Sequence, residues 1–248
     1  MITIIVQARS GSTRLPGKIL LPFYGKKSIL DLLIEKLKQV KDAKVVIATS
    51  VNPNCDQIEN VAMQHGVICF RGSENDVLQR FIDAAEVNHA EKIIRVCSDN
   101  PFLELASIQR LASVAEKETA DYISFNINGT PSIKTHYGFW TEYVTFDALK
   151  RVKEMTNESL YHEHVTNYIY SHPSSFNIKW ITGPEIVNNH SDIRLTIDTE
   201  EDFRSAQTIY SNLCQENPYP TIDEVVKYLD MHRDLYVTMK QQINKNTK

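Results

Sequence analysis

The chain has 248 residues, of which 42% are hydrophobic and 23% charged, with a formal net charge of −4. That is long and apolar enough for one large α/β domain or two small ones, and it excludes wholesale disorder. The acidic balance disfavours a nucleic-acid partner, so an anionic ligand has to be met by locally gathered cations.

The four cysteines, Cys55, Cys69, Cys97 and Cys214, form no C-x-x-C pair and are expected to be reduced, mostly buried thiols. Residues 1–6 are apolar but too short for a signal-peptide core, and no apolar run approaches a membrane span. A cytoplasmic protein is expected.

In chain order, residues 2–6 (Ile-Thr-Ile-Ile-Val) predict a first strand. Residues 28–40 predict a helix, with Ile29, Leu32, Leu33, Leu37 and Val40 at helical spacing. A buried-strand run follows at 44–49, then a helix over 54–65 stopped by Gly66, a strand at 67–70 and a helix over 74–88. Residues 92–97 and 121–125 predict two more strands, with a helix after Pro101 between them. Continuous apolar strands separated by helices imply a mostly parallel sheet covered on both faces, with ligands at the carboxyl ends of its strands.

The pattern changes at the turn-rich Asn128-Gly129-Thr130-Pro131-Ser132. A strand is expected over 137–146, helices over 147–155 and 160–170, strands at 176–181 and 193–197, and a helix over 200–211. Residues 241–248 are expected to fray. The chain therefore reads as one domain, 1–248, with 128–182 as an insertion or subdomain.

The richest segment is Gln7-Ala8-Arg9-Ser10-Gly11-Ser12-Thr13-Arg14-Leu15-Pro16-Gly17-Lys18, between the first strand and the first helix. Its glycines allow backbone N–H groups close to a polyphosphate, and its hydroxyls add donors. Arg9, Arg14 and Lys18 oppose the charge that builds as a bond to phosphorus breaks. It is neither a P-loop nor a dinucleotide fingerprint: five residues separate Gly11 from Gly17, and Ile19 follows Lys18. Asp99 and Asp198 each follow a predicted strand. If both strand ends open on one sheet edge, the two carboxylates converge to hold Mg²⁺. Singly, each is equally well a turn or capping residue. His162-Glu163-His164 lacks the H-E-x-x-H spacing, which excludes a zinc site there, and His164 is a candidate for an anionic substrate.

The segment from Gln7 to Lys18 resembles the signature of the cytidylyltransferase superfamily that makes CMP-sugar acids, above all the spore-coat polysaccharide biosynthesis (SpsF-like) group. Further matches follow in order: Val46-Ile47-Ala48-Thr49-Ser50, residues 70–80 from Phe70 to Arg80, Asp99-x-Pro101, Glu163-His164-Val165-Thr166, and residues 194–202 from Arg194 to Asp202. The resemblance implies a GT-A-like (Rossmann-like) nucleotidyltransferase fold, CTP as donor and Mg²⁺ as cofactor. It also implies a small acidic sugar-like acceptor for surface polysaccharide, and a homodimer built through the late insertion. Gln7, Ala8, Arg9, Ser10, Gly11, Ser12 and Ser98 are then expected at the nucleotide, Arg14 and Lys18 at its phosphates, and Asp99 and Asp198 at the metal.

For the acceptor, the candidates are Arg71, Arg80, Tyr161, His162 and His164. Trp140 stands where the SpsF-like group usually has an acidic residue, Asn100 where cysteine is common, and His162 where arginine is common. These departures fall where the acceptor is expected. Another nucleotide, a phosphorylated or phosphonate acceptor, a GT-A-like glycosyltransferase and a non-catalytic binding protein remain as alternatives.

Overall fold

A computed structural model describes residues 1–215 and 217–245. The chain opens with β1 (Ile2–Gln7), a short antiparallel pair β2 (Pro22–Tyr24) and β3 (Lys27–Ser28), and α1 (Ile29–Leu37). Then come β4 (Ala43–Ser50), α2 (Asp56–Gln64), β5 (Ile68–Gly72), α3 (Val77–Val87), β6 (Lys92–Cys97), α4 (Leu105–Lys117) and β7 (Tyr122–Ile127). The later part adds β8 (Thr130–Pro131), β9 (Glu142–Thr145), α5 (Phe146–Met155), α6 (Ser159–Glu163), α7 (Asn167–Ser171) and β10 (Ile178–Thr182). Helices α8 (Glu200–Leu213), α9 (Ile222–Met231) and α10 (Asp234–Lys245) close the described chain.

One sheet runs β10-β7-β9-β6-β1-β4-β5, with β8 on the side of β7. Strand β1 pairs in parallel with both β4 and β6, β4 with β5, and β7 with β10, whereas β9 is antiparallel to β6 and β7. Period-two side-chain alternation divides the core. Ile4 and Val6 of β1, with Val45 and Ile47 of β4, join one apolar cluster; Ile5, Val46 and Ala48 join a second. Both faces are thus covered, as the continuous apolar strands predict.

The order fixes where a ligand can sit. From β1 the chain steps outward to β4 and β5, then returns to place β6 on the other side of β1. That reversal opens a crevice at the carboxyl ends of β1 and β6, where Gln7 and Cys97 lie side by side in register.

Four expectations are revised. The strand predicted over 137–146 is only β9, and it enters the middle of the main sheet. Residues 128–182 therefore share the sheet through β8, β9 and β10. The helix predicted over 160–170 breaks into α6 and α7, because the chain leaves helical geometry at His164 (φ −105°, ψ 69°). Residues 193–197 form no strand. All five residues are buried, but the backbone bonds loops: Leu195 N–H donates to His136 O (2.9 Å) and Ile197 N–H to Asp99 O (3.2 Å). At the end, residues 241–245 belong to α10 and do not fray, while 246–248 lie outside the described residues. No helix among the described residues is long and apolar enough to cross a membrane.

Lys36, on α1, is buried and donates to Pro101 O (2.9 Å) and Leu103 O (2.7 Å), so it braces the loop after Asp99. Burial pushes its ammonium down to about 8, against about 10.4 in an unfolded chain. Between those values the unfolded chain holds a proton that the folded one has released, so stability rises with pH across that window. The stability of the wild type relative to Lys36→Met should therefore rise by about 3 kcal/mol from pH 8 to pH 10.5. Urea unfolding of both proteins at the two pH values checks this.

Candidate active site

The segment after β1 is tied down by its own backbone. Ala8 is buried and donates its N–H to Ala48 O of β4 (3.2 Å). Ser10 O accepts from Ser12 N–H (3.0 Å) and Gly17 N–H (3.1 Å), so the loop folds back on itself. Gly17 sits at φ +66°, a left-handed conformation that a side chain strains. This turn delivers Lys18 to the crevice between β1 and β6.

There Lys18 Nζ donates to Asp99 Oδ2 at 2.8 Å and to Ile197 O, and lies 3.8 Å from Asp198 Oδ1. Arg14 reaches Asp198 Oδ1 at 3.0 Å. The two carboxylates, far apart in sequence, thus converge on one ammonium. A buried frame holds Asp198. The Arg194 side chain is fully enclosed; it donates to Asp198 Oδ2 (2.9 Å), twice to Asp202 (2.7 and 2.8 Å), and contacts His136 Nδ1 (2.8 Å). Burial alone raises the Asp202 carboxyl. The Arg194 guanidinium and the N–H groups of Asp198 and Thr199 outweigh it and hold Asp202 below the ordinary carboxylate value. Thr199, not Asp198, caps α8, which leaves the Asp198 carboxylate to its cationic partners.

Arg14, Asp99 and Asp198 line a cleft of about 670 Å³, together with Gln7, Asn100, Lys134, Trp140, Glu163, His164 and Thr196. Under its floor, Arg95 pairs with Glu142 (2.7 Å) and fixes Gln7 by donating to Oε1 (2.8 Å). Tyr122 and Thr166 also donate to Glu142. Burial and the Glu142 carboxylate hold the Tyr122 hydroxyl well above its ordinary value, so it remains a donor. Ser98 is buried and bonds Gln7 O through its N–H (3.2 Å). At the rim, Arg9 pairs with Glu163 at 2.6 Å, and Ser10 Oγ lies 3.4 Å from Cys55 Sγ.

Residues 3–242 match the family model described as Cytidylyltransferase. The chain belongs to the cytidylyltransferase family. It is 34% identical over 239 residues to the spore coat polysaccharide biosynthesis protein SpsF of Bacillus subtilis, covering 94% of this chain and 95% of that one. It is 31% identical over 116 residues to the 3-deoxy-manno-octulosonate cytidylyltransferase of Photorhabdus laumondii, covering 45% of each. Among solved structures it superposes on a cytidylyltransferase from Leptospira borgpetersenii with a TM-score of 0.85 at 26% identity, covering 95% of this chain and 96% of that one. The chain is thus a nucleotidyltransferase, and its mixed, mostly parallel sheet is the family fold.

Of the residues expected at the family's reacting centre, Gln7, Arg14, Lys18, Asp99 and Asp198 meet at the crevice. The acceptor candidates fare differently: only His164 lines the cleft. Arg71 turns toward α2, where it pairs with Asp56 (2.7 Å) and Glu59 (2.9 Å). Arg80 is fully buried in α3 and donates to Ser73 O. His162 lies against Asp76 (2.8 Å), and Tyr161 packs edge-on to Tyr168. Sequence reasoning missed Arg95, Lys134 and Arg194. For Arg194 a signal existed: it stands four residues before Asp198 and eight before Asp202.

Among the described residues, Glu142 is the acidic partner of the buried Arg95, and only 1% of its side chain is exposed. Glu142→Gln leaves that guanidinium uncompensated and should lower unfolding free energy by about 3–5 kcal/mol, as measured by chemical denaturation.

Proposed function

We propose that the chain transfers CMP from CTP to a small, acidic, sugar-like acceptor and releases pyrophosphate, with Mg²⁺ as cofactor. The observation that carries this reading is the meeting of Arg14, Lys18, Asp99 and Asp198 at the crevice between β1 and β6. Nucleotides bind such crevices in open α/β sheets. An ammonium already sits between the two carboxylates, so the donor set suits a cation. Among the described residues no three His, Cys, Asp or Glu side chains gather to hold a metal. Two carboxylates completed by phosphate oxygens are the usual environment of Mg²⁺.

Asp99 and Asp198 hold the metal, which when bound offsets the negative charge that gathers on the phosphates. Arg14 and Lys18 hold the phosphates. Gln7, Ala8, Arg9, Ser10, Gly11, Ser12 and Ser98 frame the nucleotide. An acceptor oxygen attacks the α-phosphorus, the α–β phosphoanhydride bond breaks, pyrophosphate takes the bonding pair, and the acceptor's proton passes to solvent. Arg14 and Lys18 donate to the departing oxygens, while the rigid frame around Arg194 keeps the site in register.

For the acceptor, the support is chemical. Lys134 and His164 bring donors to the cleft wall. Asn100 Oδ1, Trp140 Nε1 and Thr196 Oγ1 are buried at the cleft without a hydrogen-bond partner, and unmet polar groups of this kind favour a hydroxylated ligand. A relative that acts on 3-deoxy-manno-octulosonate points to the same class.

Pyrophosphate release, measured with each of the four common ribonucleoside triphosphates over a panel of sugar acids, tests this reading. Turnover should require CTP and Mg²⁺. Asp99→Asn and Lys18→Ala should each reduce kcat by about 10²–10³ while leaving the thermal midpoint nearly in place. Full turnover by a folded Asp99→Asn protein sinks the metal assignment.

A further inference from the structure

We infer that the free enzyme keeps its metal carboxylates occupied by the cations that serve the triphosphate, so that the site takes up nucleotide and magnesium together and resists either alone. This rests on the reading just given, and it concerns which ionic species the enzyme admits.

The geometry has three parts. Lys18 Nζ lies 2.8 Å from Asp99 Oδ2 and 3.8 Å from Asp198 Oδ1, and it donates to Ile197 O. Only 12% of its side chain is exposed, so it is seated between the carboxylates and not waving in solvent. Arg14 occupies Asp198 Oδ1 from the other side at 3.0 Å, with half of its side chain exposed. Arg194 takes Asp198 Oδ2 at 2.9 Å, and the same guanidinium is locked to Asp202 and His136. Arg194 is therefore fixed, while Lys18 and Arg14, on a flexible stem and an exposed loop, are the two that can leave.

A divalent ion arriving alone has to displace Lys18 from Asp99 and then sit beside an ammonium left without an anion. It also finds only two protein carboxylates, short of the oxygen set Mg²⁺ requires. A triphosphate arriving alone has to draw Lys18 and Arg14 away and then face Asp99 without its cation and Asp198 held by Arg194 alone. Arriving together, the two ligands exchange partners with the protein. The cations pass to phosphate oxygens, and Asp99 with the Oδ1 atom of Asp198 passes to the metal. Each ligand removes the charge that opposes the other, which is positive coupling, and the coupling must be reciprocal.

The test uses the full chain, Mn²⁺ as a spectroscopic probe and a CTP analogue with a methylene bridge between the α- and β-phosphates. Free Mn²⁺ is read by electron paramagnetic resonance and corrected for its complex with the nucleotide. For the wild type, Mn²⁺ should bind at least about tenfold more tightly with the analogue present, within the ordinary range of coupling between sites. Lys18→Met keeps the stem and removes the charge. It should raise Mn²⁺ affinity without nucleotide by about tenfold, lower affinity for the analogue, and shrink the coupling. Adding Asp99→Asn to Lys18→Met should abolish the gain. Arg14→Met, at a half-exposed side chain, should act in the same direction with a smaller rise, and it carries the test if Lys18→Met does not fold.

Independent binding of Mn²⁺ and nucleotide by the wild type overturns the inference. So does a folded Lys18→Met protein that binds Mn²⁺ alone no more tightly than the wild type. Neither result touches the transferase reading. A wild type that binds no Mn²⁺ even with the analogue instead removes the metal assignment on which both rest.

Discussion

The site depends on the contact of one ammonium with two carboxylates. Lys18 comes from the loop after β1, Asp99 from the loop after β6, and Asp198 from the irregular segment before α8. Three distant pieces of chain meet within a few ångströms. Like charges brought close repel, and Lys18 offsets that repulsion in the free protein while Arg14 and Arg194 share Asp198. The same charge pattern is what a triphosphate with its metal can replace, which links folding of the site to its use.

Placement of those pieces follows from the sheet. Parallel pairing of β1 with β4 and β6 aligns their carboxyl ends, and the reversal of strand order leaves a gap between β1 and β6 for the loop to fill. Buried polar contacts then stiffen the rim. Lys36 grips the carbonyls of Pro101 and Leu103 beyond Asp99, and Arg194 with Asp202 grips Asp198. A buried cation is costly without partners, so each of these is satisfied by carbonyls or carboxylates, and each sits beside a residue of the reacting centre. Beneath the cleft, Arg95 and Glu142 do the same for Gln7.

The opposite wall of the cleft is built by other means. Strand β9 enters the sheet between β6 and β7, and the chain before it brings Lys134 and Trp140 to the cleft, while the bend between α6 and α7 brings Glu163 and His164. Here polar atoms remain unpartnered and aromatic rings pack closely, with Trp140 stacked on Phe125 at 5.8 Å. Charge is paired around Asp99 and Asp198, while Asn100, Trp140 and Thr196 leave hydrogen-bonding capacity open along the cleft.

By itself the sequence determined the parallel α/β core, because continuous apolar runs in β1 and β4 and helical spacing in α1 are local and leave their mark residue by residue. It also determined the cationic loop at Gln7 to Lys18 and the two acids, since their chemistry depends on residue type and on lying just past buried segments. Only the tertiary structure decided which cations face the cleft. Arg71 and Arg80 look like ligand-binding arginines in sequence, yet one is neutralised by Asp56 and Glu59 and the other is buried in α3. Whether a charge is free or already paired is a property of neighbours distant along the chain. The same holds for β9, whose place between β6 and β7 is set by long-range antiparallel pairing, and for residues 193–197. Their apolar residues favour burial, but whether a strand forms depends on a partner backbone, and here the partners are the loops at His136 and Asp99.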